Sequence, residues 1–229
     1  MKFLVTNDDG YLATGLVKLV EHLKTLGEVV IVAPLSEKSA QSHAINIKDN
    51  FLVKNITPYL GCEAYAIDST PADCVRYALY ALNVRPDILI SGINNGYNAG
   101  DDILYSGTVS AAMEGALRGI PSVALSIERG DIDKVSDEIK KTISLIFSEK
   151  LFSKWNCWNI NIPINFREVK YTHQGDTHYH TCFLEGENTR QLGEPHFELE
   201  EDENSDVYNL VRNNLTIMAI NYDRTKYFA

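Results

Sequence analysis

The chain has 229 residues, 45% hydrophobic and 23% charged, a globular composition that excludes collagen-like, coiled-coil and wholly disordered classes. Twenty-one Lys+Arg against thirty-one Asp+Glu leave a formal net charge of −10, which argues against a broad basic face for nucleic acid but leaves small anionic ligands open. The excess is local: Glu185, Glu187, Glu194, Glu198, Glu200, Glu201, Asp202, Glu203 and Asp206 against Arg190 carry −8 of it.

Phe3-Leu4-Val5-Thr6 reads as a short strand halted by Asn7-Asp8-Asp9-Gly10. Leu16, Leu19, Val20, Leu23 and Leu26 then recur at helical spacing up to Gly27, and Val29 to Ala33 reads as a strand buried on both faces. This is a βαβ unit of a parallel sheet. A polar loop and a hairpin over residues 45–67 follow. Thr70 and Pro71 open a helix as N-cap and N1, with Val75, Ala78, Leu79 and Leu82 on one face. Asp87 to Ser91 is the next buried strand. A loop from Gly92 to Gly107, a helix over Thr108–Arg118 and a strand over Ser122–Ser126 complete a Rossmann-like, doubly wound, mostly parallel α/β sheet. From about Trp155 strands dominate (Trp158–Ile162, Val169–Thr172, Leu215–Ile220). The chain therefore reads as a single α/β domain over residues 1–229, a catalytic core over about 1–150 with an appended β-rich extension over about 151–229. The acidic stretch reads as a solvated segment or assembly arm.

No apolar run reaches the roughly 18 residues of a membrane span, and the N-terminus lacks a signal-peptide pattern, so a cytoplasmic protein is expected. Cys62, Cys74, Cys157 and Cys182 are scattered and read as reduced thiols.

Three loops would meet at the carboxyl ends of the strands: residues 7–10, 36–43 and 92–108. Adjacent Asp8 and Asp9 after an apolar strand repel one another unless a divalent cation intervenes, and oxygen-only ligation suits Mg²⁺ or Mn²⁺; the plainer alternative is an Asx turn. The Ser91–Gly100 segment has three glycines and three asparagines, and Ser106-Gly107-Thr108 opens a helix, where N–H groups and hydroxyls receive anions. Metal oxygens facing a helix N-terminus suit phosphoryl transfer to water. Either acid of the pair also serves as a candidate general base, more naturally Asp8, and a covalent aspartyl-phosphate is the competing route.

Thr6-Asn7-Asp8-Asp9-Gly10, Ala33-Pro34 with Ser39 and His43, Thr70-Pro71-Ala72-Asp73-Cys74-Val75, Ser91-Gly92-Ile93-Asn94 and the run from Asp102 to Gly115 resemble the SurE survival-protein family. The likeness spans about residues 1–127 and continues weakly through Asn159–Pro163 and Leu215–Thr225. It implies a metal-dependent 5′/3′-nucleotidase acting on nucleoside monophosphates, with exopolyphosphatase activity in some members, and a homodimer or homotetramer built through the C-terminal extension. By position it implies one divalent ion held by Asp8, Asp9, the Ser39 hydroxyl and the Asn94 amide oxygen. Asn98, Ser106, Gly107 and Thr108 fall on the phosphate side, with His43 beside them where some members have Asn.

The remaining polar features receive plainer readings. Asp101 and Asp102 are expected as helix-entry carboxylates, His178 and His180 as surface histidines, and Glu114 with Arg118 as an exposed i, i+4 pair. Tyr11, Tyr97 and Tyr105 are candidates for stacking on a base. A dinucleotide-binding protein is disfavoured because no G-x-G-x-x-G follows the first strand. A non-catalytic metal- or nucleotide-binding interaction protein would be expected to have lost an oxygen donor from the Asp8, Asp9, Ser39 and Asn94 set, and none is missing.

Overall fold

The computed structural model describes residues 1–130, 132–176, 178–184, 189–196 and 201–223. The elements in chain order are β1 (Lys2–Thr6), α1 (Thr14–Leu23), β2 (Glu28–Pro34), β3 (Val53–Asn55), β4 (Glu63–Ile67), α2 (Pro71–Tyr80), β5 (Ile88–Asn95), α3 (Gly107–Leu117), β6 (Ser122–Ile127), α4 (Ser136–Ser148), α5 (Leu151–Lys154), β7 (Cys157–Ile162), β8 (Val169–Tyr171), β9 (His178–Leu184), β10 (Arg190–His196), α6 (Asp206–Val211) and β11 (Leu215–Ala219).

Nine strands form one sheet in the order β3-β4-β2-β1-β5-β6-β7-β11-β8, and β9 pairs with β10 alone. The run β4-β2-β1-β5-β6-β7 is parallel throughout. Numbered by appearance those six strands stand 3-2-1-4-5-6, the Rossmann arrangement, whose strand order reverses between β1 and β5. Ligand sites form outside the carboxyl ends of strands at such a reversal. β11 runs antiparallel to β7, and β8 pairs parallel with β11, so the sheet continues beyond residue 150.

Alternation along β1 explains the two-sided core. Phe3 and Val5 pack on one face with Leu16, Leu19 and Ile139 from α1 and α4, while Leu4 packs on the other with Val75, Ala78 and Val109 from α2 and α3. The Thr70 hydroxyl caps α2 by accepting from the Asp73 N–H at 3.2 Å, and Ser106 caps α3 by accepting from Val109.

Three local expectations change. The hairpin over 45–67 shrinks to β3 and β4, because the Asn46 side-chain oxygen accepts from the N–H groups of Lys48 and Asp49 and turns the chain before a strand starts. The α1 helix ends at Leu23, and Leu26 is exposed as the chain tightens with Leu26 N–H on Leu23 O. Residues 136–148 form a helix that the sequence reading left unassigned. No described helix is long and apolar enough to cross a membrane.

The approach of α1 to the sheet depends on Gly15. A Cβ there would stand 2.0 Å from the Ile93 carbonyl oxygen, so only glycine lets α1 rest on the end of β5. Gly15→Ala is expected to cost about 1–3 kcal/mol of stability, the usual range for overpacking, read by chemical denaturation; unchanged stability would show that the contact relaxes freely.

Candidate active site

β1 ends at the strand-order reversal, and Asn7 closes the turn that follows by donating from Nδ2 to Gly10 O at 2.9 Å. The turn aims the buried Asp8 carboxylate at the first turn of α3. There the Thr108 N–H donates to Oδ2 at 3.1 Å and the Thr108 hydroxyl donates to Oδ1. This approach requires Gly107, since a Cβ at that position would lie 2.9 Å from the Asp8 Cβ. Burial pushes the Asp8 acid from 3.8 up to about 6; the Thr108 bond opposes the rise and the neighbouring Asp9 charge adds to it. Asp9 is raised as well, by burial first and by Glu37, against the opposing effects of the Asn95 N–H and Arg129.

A cleft of about 400 Å³ opens in front of this pair. Of the residues expected from sequence, Asp8, Asp9, Ser39, Asn94, Asn98 and Ser106 line it. Lys38 N–H donates to Asp8 O at 2.7 Å, which draws the Ser39 loop against the end of β1, and the Ser39 hydroxyl donates to Glu37. Asn94 donates from Nδ2 to Gly96 O at 2.8 Å, which leaves Oδ1 as its acceptor. Asn98 is fixed by β6 and β7: its Nδ2 donates to Ser126 Oγ, its N–H to Asn161 Oδ1, and its carbonyl accepts from Asn159 and Asn161.

Thr108, expected on the phosphate side, directs its N–H and hydroxyl to Asp8, and Gly107 packs behind that carboxylate. His43 is not among the cleft residues. Its Nε2 lies 3.0 Å from Glu114 Oε2. Glu114 corrects the reading of an exposed pair: its side chain is 4% exposed and also accepts from Arg76 at 3.2 Å and Arg118 at 3.0 Å. Both guanidiniums lie near the Tyr80 ring. Burial alone would raise the Glu114 acid, but the His43 bond and Arg118 hold it below the usual carboxylate range.

Asp206 corrects part of the acidic-stretch reading. It is fully buried, accepting from Gly100 N–H at 3.0 Å and from Gly175 N–H at 2.8 Å. It thereby ties the loop of Asn98 and Ser106 to the C-terminal part of the sheet. Glu185, Glu187, Glu198 and Glu200 lie outside the described residues. Asp101 and Asp102 sit in a 3₁₀ turn over Gly100–Leu104, and the Asp102 carbonyl accepts from Tyr105 and Ser106 to lead into α3. Tyr97 and Tyr105 line the cleft, whereas Tyr11 packs edge-on against Tyr59. Cys62, Cys74 and Cys157 are buried free thiols. Sequence reading missed Glu37, Asn95 and Arg129 as lining residues. Arg129 is the second residue past β6, so its place after a parallel strand was the available signal.

No described group of three or more His, Cys, Asp or Glu is arranged to hold a metal ion. The cleft instead offers two carboxylates raised by burial, an amide oxygen and a hydroxyl, a set that fits a hard divalent cation completing its shell with water. Each Asp8 oxygen keeps a lone pair beyond the one that Thr108 uses.

Because the folded protein holds a proton on Asp8 up to about pH 6 and the unfolded chain releases it near 4, the metal-free protein should lose stability as pH rises through that window. Asp8→Asn should remove the loss, since the amide can turn its oxygen to the Thr108 N–H while the hydroxyl accepts from the NH₂. Denaturation in EDTA above pH 7 should show a gain of about 2 kcal/mol. A variant less stable than the parent would show that the charge is already compensated.

The family model for survival protein SurE matches residues 3–181. A "5'-nucleotidase SurE" of Caldanaerobacter subterraneus subsp. tengcongensis is 40% identical over an alignment covering 99% of this chain and 93% of the relative. Another protein of that name, from Geobacter metallireducens, is 38% identical with 99% and 94% covered. The crystal structure of the SurE protein from Aquifex aeolicus has a TM-score of 0.81 at 32% identity, covering 99% of this chain and 96% of that one. With the strand order and the Asp8–Thr108 contact in place, these matches show that the chain belongs to the SurE survival-protein family.

Proposed function

We propose that this chain is a divalent-metal-dependent nucleotidase that hydrolyses nucleoside monophosphates to nucleoside and inorganic phosphate. The observation that carries the reading is the Asp8–Asp9 pair at the strand-order reversal, with the buried Asp8 clamped to the N-terminus of α3. The names of the relatives support it. Asp8, Asp9, Asn94 Oδ1 and Ser39 Oγ are the donors that would hold one Mg²⁺ or Mn²⁺. Such an ion supplies Lewis acidity toward a phosphate oxygen and lowers the pKa of water.

The chain's own groups orient the ester. Ser106 at the N-cap of α3 and Asn98, locked by Ser126, Asn159 and Asn161, face the place where the phosphate charge would sit. Water attacks phosphorus, the bond from phosphorus to the ester oxygen breaks, and the leaving oxygen takes the proton that the attacking water gives up. Asp9 is better placed than Asp8 to accept the proton of the attacking water. It is only partly buried, whereas both Asp8 oxygens accept from Thr108. We assign self-association to the β9–β10 hairpin, where Phe183 and Leu184 are 60% and 55% exposed.

Nucleoside monophosphates and short polyphosphate, assayed with EDTA and then with Mn²⁺ or Mg²⁺, test the reading. Monophosphate turnover is expected only with added metal, and Asp9→Asn should reduce kcat by at least about 100-fold while the circular dichroism spectrum is kept. Tight metal binding without turnover would favour a silent binding protein, and full activity in both Asp8→Asn and Asp9→Asn would contradict the metal assignment.

A further inference from the structure

The charged side chains lining the cleft are Asp8, Asp9, Glu37, Asp102 and Arg129, four carboxylates and one guanidinium. A phosphate monoester brings up to two negative charges into this space. One divalent cation offsets only part of the sum, so the position of Arg129, the one cationic side chain among the described lining residues, bears on substrate capture. We propose that Arg129 binds the phosphate of the substrate at the open side of the cleft. The proposal rests on the nucleotidase reading and names a substrate-binding residue that the sequence did not disclose.

The turn carrying Arg129 is anchored. Gly130 N–H donates to Asn95 Oδ1 at 2.9 Å, Gly96 N–H donates to Ile127 O at 3.1 Å, and Glu128 N–H donates to Ile162 O. These bonds hold the end of β6 against the ends of β5 and β7, and Asn95 in turn offers its N–H to Asp9. The guanidinium lies over Gly96, where a Cβ would stand 3.7 Å from Nε, in ordinary van der Waals contact. Residue 129 is exposed, and no described ion pair engages it. This arrangement differs from that of Arg76 and Arg118, which are committed to Glu114.

A guanidinium presents a planar fork of donors that matches two phosphate oxygens, which an ammonium does not reproduce. The rival role is electrostatic compensation of Asp9, whose charged form Arg129 favours. The two roles differ in what they change. Phosphate binding appears in KM and in the affinity for inorganic phosphate, whereas compensation of Asp9 appears in metal affinity and kcat.

Arg129→Gln and Arg129→Lys should fold, the side chain being exposed. For Arg129→Gln, KM for a nucleoside monophosphate and the inhibition constant of inorganic phosphate should rise together by about 10-fold, more than kcat falls. Arg129→Lys should recover only part of the loss, and Mn²⁺ affinity measured by calorimetry should stay within about 2-fold. Unchanged KM and phosphate affinity would overturn the proposal, as would a fall in kcat with altered Mn²⁺ affinity and constant KM. If the parent protein hydrolyses no nucleotide with any metal, the nucleotidase reading fails by itself. Direct calorimetric titration of inorganic phosphate into the Mn²⁺-loaded parent and Arg129→Gln still decides the role of Arg129: about 10-fold weaker binding in the variant supports it, and equal or undetectable binding in both overturns it.

Discussion

A buried carboxylate held by the first turn of a helix organises this molecule. Asp8 is the second residue past β1, and its two oxygens accept the N–H and hydroxyl of Thr108, 100 residues further along the chain. The bond joins the strand at the order reversal to the helix that follows the Asn98 loop. Gly107 is required because any side chain would strike Asp8, and Lys38 brings the Ser39 loop to the same residue through the Asp8 carbonyl. One residue thus positions three loops from separate βα units, through its carboxylate and its carbonyl. The helix N-terminus favours the charged form of the carboxylate, yet burial outweighs it and the acid remains raised.

Glu114 is the informative contrast. It lies on the same helix and is as deeply buried, but it accepts from His43, Arg76 and Arg118, and its acid is lowered. A buried carboxylate whose cations are built into the fold is a structural joint, here tying the loop of residue 43 to α2 and α3. A carboxylate pair whose acids are both raised by burial is a place where the fold has left room for a charge to be supplied from outside. The electrostatics therefore separate the cleft from the joint on one helix. The overall charge of −10 does not bear on this distinction, because most of it lies in the 185–206 stretch.

Much of the architecture was legible because it is written in local patterns. The apolar run of β1, the spacing of Leu16, Leu19, Val20 and Leu23, and the Thr70-Pro71 start of α2 each report on a few neighbouring residues, and the elements form where those patterns lie. The joints were hidden for the opposite reason. Glu114 looked exposed because the i, i+4 rule sees only Arg118, while His43 is 71 residues away and Arg76 is 38. Asp206 looked solvated because it closes a run of acids, and nothing near it in sequence discloses that the N–H groups of Gly100 and Gly175 converge on it. Thr108 was legible as a helix start but not as the partner of Asp8, since that contact exists only once α3 packs beside β1.

The central claim is that Asp8, its acid raised by burial to about 6, holds a proton below that pH which a divalent ion must displace. Titration of the protein with Mn²⁺ by calorimetry, in buffers of differing ionisation enthalpy, measures it directly. Release of most of one proton per ion is expected at about pH 5.5, falling toward zero by about pH 8, with both the release and the tight binding lost in Asp8→Asn. Affinity independent of pH and without proton release, or undiminished in that variant, would contradict it.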